Sequence, residues 1–366
     1  MINSVMRNKK RVMVAMSGGL DSAISALLLH REGYEVIGLT MKTWDYANSG
    51  GSKKETGCCS LDSINDARQL AVNNNFQHII LDIRDEFGDI IINDFVDEYI
   101  SGRTPNPCVL CNTFIKWDAL LKRAEMLKCD YIATGHYAKI KKNQGRYIIS
   151  QPKDMSKDQT YFLWGLSQNC LSKTIFPLAD LTKDEVRDIA IKEGYGDLAS
   201  KSESYEVCFI PDNDYNSFLK RKVEGLEERV NNGNFISTSG EILGKHKGYP
   251  FYTIGQRKIG LGLGFPAYVV EINVKNNEIV LGTKDDLVKD KMSVSKFNLI
   301  KSDVIPDEGL DVVTKVRYRH KGVKSRIKLK NKKIIVEFFE RVEAIAPGQS
   351  AVFYSQGDVF GGGIIV

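Results

Sequence analysis

A buried strand that turns into a helix through two glycines is the feature that most constrains this fold. Residues 12–15 (VMVA) read as a strand, and residues 22–33 (SAISALLLHREG) read as a helix that ends at a glycine. Between them lies SGGLDS, where Gly18 and Gly19 let the backbone bend sharply. Such a turn leaves N–H groups unpaired at a helix N-terminus, where the helix dipole favours an anion. The stretch predicts a phosphate cradle, and a capped turn without a ligand is the alternative.

Strands and helices alternate through the first two hundred of the 366 residues. The predicted strands cover residues 11–17, 34–41, 76–84 and 130–138. The predicted helices between and after them cover residues 22–33, 60–75, 85–102 and 114–129. Ser60 or Asp62 is the expected N-cap of the second helix. This alternation predicts an α/β doubly wound parallel sheet, in which ligands bind beyond the carboxyl ends of the strands.

The pattern changes after about residue 215, where short glycine-rich strands replace the helices. Residues 267–283 (AYVVEINVKNNEIVLGT) predict a hairpin that turns at Asn276 and Asn277. We therefore predict a catalytic α/β domain at residues 1–210, a small β-rich domain at residues 211–280 and a β-barrel at residues 281–366.

Composition and charge limit the class of protein. No apolar run approaches the roughly 20 residues that a membrane helix needs. The start of the chain, MINSVMRNKK, lacks the apolar core of a signal peptide. We therefore expect a cytoplasmic protein without a membrane partner. Residues 311–333 hold ten Lys or Arg and one Asp, so hairpins there would present a basic face. That face is suited to a polyanion, and a merely solvated face is the alternative.

The cysteines do not suggest a disulfide scaffold, because no secretory signal accompanies them. The chain has Cys58, Cys59, Cys108, Cys111, Cys129, Cys170 and Cys208. Cys129 and Cys170 read as small buried residues. Cys108 and Cys111 share one face if their segment is helical, and a thiol near a helix start has a lowered pKa. A structural pair or half of a zinc site is the alternative, which the absence of a second Cys-x-x-Cys in the sequence disfavours.

The order of the motifs resembles one family over nearly the whole chain. These motifs are MSGGLDS, GRTPNPCVLCN, IATGHYA, SKDQTYFLW, VCFIP, YTIGQRKIGLGLG and APGQSAVFY. They resemble those of the tRNA-specific 2-thiouridylases, which are PP-loop ATP pyrophosphatases with an adenine nucleotide alpha hydrolase-like fold. SGGLDS lacks the lysine of a Walker loop, which agrees with that superfamily. The resemblance implies ATP-dependent 2-thiolation of the wobble uridine of lysine, glutamate and glutamine tRNAs. In that reaction O2 is adenylated, sulfur replaces it, and AMP and pyrophosphate are released.

The resemblance also implies roles for individual residues. Cys208 would carry sulfur as a persulfide, and Cys111 would attack the activated base or close a disulfide with Cys208. Asp21 would ligate Mg²⁺ or cap the following helix. The residues implied for ATP are Ala15, Met16, Ser17, Gly18, Gly19, Leu20, Asp21, Ser22, Met41 and Gly135. The residues implied for the tRNA and its target base are Asn106, Pro107, Cys108, His136, Lys157, Asp158, Gln159, Arg317, Tyr318 and Gln349. A cysteine desulfurase or a sulfur-relay protein would supply the sulfur.

One residue departs from the family pattern, and other functions stay open. Many members have Asp where this chain has Cys108. Together with Cys111 and Cys208 it gives three thiols, as in related tRNA-thiolating enzymes that hold a [4Fe-4S] cluster, although we favour the persulfide relay. A PP-loop ligase or amidotransferase that adenylates a small metabolite is a further alternative, but it would not need these cysteines. A non-catalytic tRNA-binding protein would not need SGGLDS.

Overall fold

The computed structural model describes residues 9–44, 60–201, 207–210 and 213–366. Cys58, Cys59 and Pro211 of the sequence motifs lie outside these residues. The chain divides into two compact units. The first unit comprises residues 1–88 and 111–213, and the second comprises residues 89–110 and 214–366.

The elements below are numbered in chain order. The α-helices are α1 (Leu20–Arg31), α2 (Leu61–Asn73), α3 (Arg84–Phe87), α4 (Asn93–Ile100), α5 (Pro107–Leu110), α6 (Trp117–Met126), α7 (Gln168–Ser172), α8 (Lys183–Lys192), α9 (Gly196–Ser200), α10 (Tyr215–Lys222) and α11 (Leu226–Val230). The strands are β1 (Arg11–Ala15), β2 (Glu35–Lys42), β3 (Gln77–Asp82), β4 (Tyr131–Ala133), β5 (Lys139–Asn143), β6 (Arg146–Ser150), β7 (Thr174–Ile175), β8 (Gly233–Ser237), β9 (Ile242–His246), β10 (Tyr268–Asn273), β11 (Glu278–Gly282), β12 (Val288–Leu299), β13 (Leu310–Lys315), β14 (Val323–Lys330), β15 (Lys333–Glu343), β16 (Ser350–Ser355) and β17 (Asp358–Ile365). None of the helices within the described ranges is long and apolar enough to cross a membrane.

Five strands of the first unit form the predicted parallel sheet, in the order β3-β2-β1-β4-β7. The central strand β1 pairs in parallel with β2 and with β4. Its residues Val12, Met13 and Val14 are fully buried, as expected for a parallel sheet that is covered on both faces. The predicted fold class is confirmed. The carboxyl ends of β1 and β4 lead into SGGLDS and TGHYA at the same edge of the sheet.

Two of the predicted helices differ from their sequence-based bounds. The predicted helix at residues 85–102 consists of α3, a π-helical turn at Gly88–Ile92 and α4. The predicted helix at residues 114–129 begins earlier, because α5 continues through a π-helical segment, Cys111–Lys116, into α6. Two of the three boundaries between the units fall at these π-helical stretches, and the third lies between residues 213 and 214. The N-cap of α2 is Ser60, whose side chain accepts a hydrogen bond from the backbone N–H of Ser63.

The second unit contains the predicted β-rich elements. One sheet has the order β10-β11-β8-β9, and the predicted hairpin β10–β11 turns at Asn276 and Asn277. Strands β12, β15, β14, β13, β16 and β17 pair in that order, and β12 also pairs with β17. This last pairing closes a six-stranded barrel, as predicted for the C-terminal part of the chain. Apolar side chains from all around the barrel, such as Val294, Ile327 and Phe353, fill its interior.

Helix α4 packs within the second unit through aromatic contacts. The ring of Phe95 lies 5.8 Å from that of Phe218, and the rings of Tyr99 and Tyr215 are stacked at 4.7 Å. The hydroxyl of Tyr249 donates a hydrogen bond of 2.8 Å to the carbonyl oxygen of Ile100. Because of these contacts, α4 and the loop that follows it belong with the β-rich elements that come more than one hundred residues later in the chain.

Candidate functional site

The SGGLDS loop is a tight turn that only glycine can form. Gly18 has φ +73°, and a Cβ atom there would lie 2.0 Å from the carbonyl oxygen of Ser63. Gly19 is the N-cap of α1, and no side chain caps that helix end. Ser22 Oγ accepts a hydrogen bond of 3.1 Å from the backbone N–H of Ser17 and donates one of 3.0 Å to the carbonyl oxygen of Gly19. Hydrogen bonds within the loop therefore hold its conformation between the carboxyl end of β1 and the start of α1.

A buried lysine supplies a positive charge at this loop. Lys183 Nζ lies 2.7 Å and 2.8 Å from the two carboxylate oxygens of Asp21. Only 5% of Lys183 is exposed. The Tyr137 hydroxyl donates a third hydrogen bond, of 3.0 Å, to Asp21 Oδ1. The alternative role of Asp21 as a cap of α1 is not realised, because its carboxylate faces Lys183 and Tyr137.

Lys183 is the residue that the sequence analysis missed. It is the first residue of α8, where Thr182 and Glu185 form a capping box. A cation in the first turn of a helix is disfavoured by the helix dipole, so another charge must hold it there. Asp21 provides that charge. A lysine directly after an N-cap threonine was the signal in the sequence that could have revealed it.

The TGHYA loop lies directly against SGGLDS. A Cβ atom on Gly135 would lie 2.8 Å from the backbone carbonyl carbon of Asp21 and from the backbone nitrogen of Ser22. Gln159, from the SKDQTYF segment, fixes the same loop because its side-chain oxygen accepts a 2.9 Å hydrogen bond from the backbone N–H of Tyr137. The backbone N–H of Gln159 donates to the carbonyl oxygen of Tyr137 at 3.1 Å. Three sequence motifs and Lys183 therefore converge within the first unit.

His136 lies in an apolar environment that keeps it neutral. Its ring centroid lies 5.5 Å from that of Trp117 and 6.3 Å from that of Phe176. His136 Nδ1 is 2.8 Å from Thr134 Oγ1. Burial, with a smaller effect from the charge of Lys116, lowers the pKa of His136 to about 3. At neutral pH the imidazole is therefore uncharged.

The three residues predicted to contact tRNA in SKDQTYF differ in their surroundings. Asp158 is buried, and it accepts hydrogen bonds from the backbone N–H of Thr160 at 2.9 Å and from Gln151 Nε2 at 3.0 Å. Gln159 is engaged with Tyr137. Lys157 is half-buried and carries the only positive charge of the three, so it is the one best suited to a phosphate.

The two predicted catalytic cysteines lie on segments that pack against α3. Cys111 is buried and begins the π-helical segment, which packs on α3. Phe87 of α3 contacts Phe209 with a ring separation of 5.8 Å, and Phe209 follows the half-buried Cys208. Cys108 is exposed, in the first turn of α5. None of these three cysteines is in a disulfide.

Arg103, five residues before Cys108, is paired with an acidic residue. Arg103 does not act on the thiols as an isolated charge, because its guanidinium is paired with Glu98, with Nε 2.8 Å from Oε2. Among the described residues, no three His, Cys, Asp or Glu side chains are grouped as metal ligands. Burial raises the pKa of Cys129 to about 11, as expected for a structural thiol.

Strand β14 of the barrel has the predicted basic face. Lys324, Arg326 and Lys328 are exposed, whereas Ser325 and Ile327 between them are buried. Arg326 is paired with Asp311 on the neighbouring strand, with Nε 2.6 Å from Oδ1. Several residues predicted to meet tRNA lie in this unit, namely Asn106, Pro107, Cys108, Arg317, Tyr318 and Gln349. Arg317 is exposed and donates a hydrogen bond of 3.2 Å to the carbonyl oxygen of Glu343.

A parallel sheet that ends in a braced glycine–serine loop, with an acidic residue and a buried lysine, defines a PP-loop nucleotide-binding enzyme. Residues 10–212 match the family described as the tRNA methyl transferase HUP domain. Residues 216–283 match the tRNA methyl transferase PRC-barrel domain, and residues 289–365 match the aminomethyltransferase beta-barrel domain.

Full-length relatives identify the family. The protein called tRNA-specific 2-thiouridylase MnmA from Amoebophilus asiaticus is 60% identical over 98% of this chain and 95% of its own length. Proteins of the same name from Cytophaga hutchinsonii and Salinibacter ruber are 56% and 50% identical, each over 98% of this chain and over 98% and 95% of their own lengths. This chain belongs to the family of tRNA-specific 2-thiouridylases, and the resemblance seen in its motifs is confirmed.

Proposed function

We propose that this chain replaces O2 of the wobble uridine in lysine, glutamate and glutamine tRNAs by sulfur. One observation carries the proposal: a phosphate loop and two cysteines outside any disulfide, Cys111 and Cys208, belong to the same α/β unit. A non-catalytic RNA-binding protein needs no such loop. A ligase that acts on a small metabolite needs neither the two cysteines nor the basic strand β14.

The residues present fit ATP and Mg²⁺. The backbone of Ser17, Gly18 and Gly19 precedes a helix N-terminus, which suits the pyrophosphate part of ATP. Lys183 supplies the positive charge that a Walker lysine gives in other nucleotide-binding loops. Mg²⁺ is usually held by one or two carboxylates together with substrate phosphates, and Asp21 offers one carboxylate. We propose that Met41 and Gly135, with Ala15, Met16 and Leu20, line the adenosine.

The first chemical step activates a poor leaving group. O2 of the uridine attacks the α-phosphorus of ATP, and the bond from that phosphorus to pyrophosphate breaks. The oxygen of an amide-like carbonyl thereby becomes part of AMP, which leaves readily. Lys183 contributes by stabilising the charge that develops on the departing pyrophosphate.

The second step transfers the sulfur. The terminal sulfur of a Cys208 persulfide attacks C2, and AMP leaves with the electron pair of the C2–O bond. The thiolate of Cys111 then attacks Cys208 Sγ, so the S–S bond breaks and its electron pair stays on the sulfur now bound to C2. This produces 2-thiouridine and a disulfide between Cys111 and Cys208. A cellular dithiol reduces the disulfide, and a cysteine desulfurase or a sulfur-relay protein reloads Cys208.

The remaining predicted residues would recognise the RNA. Asn106, Pro107 and Cys108 would meet the target base, with His136 as a neutral hydrogen-bonding group. Lys157, Arg317 and Tyr318 would contact the tRNA together with the basic face of β14. The reaction requires ATP, tRNA and reduced thiols, which occur together in the cytoplasm, and we place the enzyme there.

Release of pyrophosphate tests this function. With ATP, Mg²⁺ and unmodified lysine tRNA, we expect pyrophosphate release that requires the RNA. The matched control is the same tRNA already carrying 2-thiouridine at the wobble position, which has sulfur instead of O2 and should give no release. Release without RNA would instead support a metabolite ligase. Tight tRNA binding without release would support a non-catalytic binding protein.

The basic face of β14 gives a separate prediction for tRNA affinity. Replacing Lys324 and Lys328 together by alanine should weaken tRNA binding and flatten its dependence on salt. Each lost phosphate contact should reduce the slope of log K against log salt by about 0.7 to 0.9. The exposed residues Lys122 and Lys192 of the first unit provide the control, because their double replacement changes the net charge equally. Equal slopes in the two double variants would mean that β14 is only solvated.

A further inference from the structure

The loop before Cys108 cannot satisfy its own backbone. Pro105 and Pro107 have no N–H group, so the TPNP stretch lacks two of the donors that a turn would use. Each residue before a proline is also held away from the helical conformation. The carbonyl groups of Thr104 and Pro105 therefore need donors from elsewhere in the chain.

Gln349 supplies those donors. Its side-chain Nε2 lies 2.7 Å from the carbonyl oxygen of Pro105 and 3.2 Å from that of Thr104. The opposite orientation of the amide would place its oxygen against two carbonyl oxygens, so only this orientation is satisfied. Both side-chain hydrogens are thereby used within the protein. The backbone N–H of Thr104 in turn donates a 2.8 Å hydrogen bond to the carbonyl oxygen of Pro347.

The backbone beside Gln349 is shaped for this contact. Gly348 has φ +90°, and a Cβ atom there would lie 2.8 Å from the carbonyl oxygen of Thr104 and 2.7 Å from Glu98 Oε2. Only glycine permits so close an approach. The N–H of Ile365 donates to the carbonyl oxygen of Gln349 at 2.9 Å, which fixes Gln349 against the last strand of the barrel. The barrel therefore holds the loop through a rigid support.

We propose that Gln349 is a positioning residue for the loop at residues 103–108. It acts through that loop by its amide nitrogen, and its Oε1 stays available for the contact with tRNA that the sequence implied. The inference rests on the proposed function, in which Asn106 and Cys108 meet the target base. The segment that leads into β16 thereby positions the residues proposed to meet the uridine.

Replacing Gln349 by methionine tests the proposal, because methionine keeps the length of the side chain but donates no hydrogen bond. A misplacement of about 1 Å can cost about 100-fold in rate, so we expect single-turnover thiolation at saturating tRNA to fall by about 10- to 100-fold. The Kd for tRNA should rise by no more than a few-fold, less than the fall in rate, because a neutral side chain carries no counterion release. Hydrogen exchange at the Thr104 amide should become faster.

Two further variants complete the experiment. Gln356 is exposed in the turn between β16 and β17, and Gln356→Met should leave all three measurements unchanged. Gly348→Ala disturbs the same loop by steric contact and should show the same split between rate and affinity. A weaker tRNA affinity of Gln349→Met, with normal rate at saturation and normal exchange at Thr104, would overturn the proposal. If the unmodified protein forms no 2-thiouridine, the proposed function fails, while the exchange data still decide whether Gln349 holds the loop.

Discussion

Replacing Lys183 by methionine is expected to lower tRNA-dependent pyrophosphate release by about 100- to 1000-fold, the usual cost of removing one preorganised donor to a developing charge. The ammonium group is buried, and α8 with its capping box holds it 2.7 Å from Asp21 at the phosphate loop. We expect the affinity for ATP to fall, whereas the affinity for AMP should stay the same because AMP lacks the β- and γ-phosphates. Calorimetry with both nucleotides, beside the pyrophosphate assay, measures this difference.

The controls separate phosphate binding from simple neutralisation of Asp21. Lys192→Met changes an exposed lysine at the other end of the same helix and should have no effect. Only the lysine of this ion pair is fully buried, and removing one partner destabilises the fold, so thermal unfolding of each variant is compared. The double variant Asp21→Asn, Lys183→Met removes both charges and should unfold near the normal temperature. If it also binds ATP normally, Lys183 serves only to neutralise Asp21, and the prediction is wrong.

A substitution in the SGGLDS loop tests whether nucleotide chemistry and RNA binding depend on different residues. Asp21→Ala should abolish thiolation and leave the tRNA affinity intact, because SGGLDS and the basic strand β14 belong to different units. A gel-shift affinity that fell together with the activity would contradict this separation.

Local patterns were sufficient to predict the sheet and the barrel but not the grouping of the elements. The strand–loop–helix at β1 is encoded by adjacent residues, since an apolar run, two glycines and a mostly apolar helical segment each have a direct physical meaning. The membership of α4 in the second unit depends on contacts such as Tyr99 with Tyr215, which no local pattern shows. The sequence did not reveal the π-helical turn at residues 88–92. Gly88 has the backbone angles of an ordinary helix there, so it gives no sign of a changed hydrogen-bond pattern.

The candidate site was predictable where function and local geometry coincide. Gly18 is identifiable because the turn requires its positive φ. Lys183 lies 162 residues after Asp21, and only its unfavourable place in a helix first turn hints at a partner. Asp158 and Gln349 illustrate the opposite case. A sequence shows that a side chain is polar but not whether it faces RNA or the protein's own backbone. Hydrogen bonds within the protein occupy the carboxylate of Asp158 and the amide nitrogen of Gln349.

Cys111→Ser and Cys208→Ser are each expected to abolish 2-thiouridine formation, whereas Cys108→Asp should keep substantial activity. A persulfide relay needs one sulfur to carry and one to resolve, and serine does neither. Cys108 differs from these two because it is exposed, in the first turn of α5, at a position where many family members have Asp. Thiolation is measured by nucleoside analysis, with a cysteine desulfurase as donor, or with inorganic sulfide and protein whose Cys111–Cys208 disulfide has formed. Sulfide makes the Cys208 persulfide only by opening that disulfide, which releases the Cys111 thiolate. Cys170→Ser is the matched control, since this half-buried thiol lies near Ser167 Oγ and has no proposed role.

Cys108→Asp also distinguishes the relay from an iron–sulfur cluster. A cluster held by Cys108, Cys111 and Cys208 needs all three thiolates, so this variant of anaerobically purified protein would lose iron, acid-labile sulfide and activity together. Under the relay, the protein carries no stoichiometric iron, and the variant stays active because the carboxylate restores the commoner family residue. Persulfide loading of Cys208 provides a second measurement that distinguishes the relay from the cluster. Persulfide loading of Cys208 by the desulfurase should persist in Cys111→Ser, because that step precedes resolution. Loss of activity with both donors in Cys108→Asp, in parallel with loss of bound iron, would contradict the relay and establish the cluster.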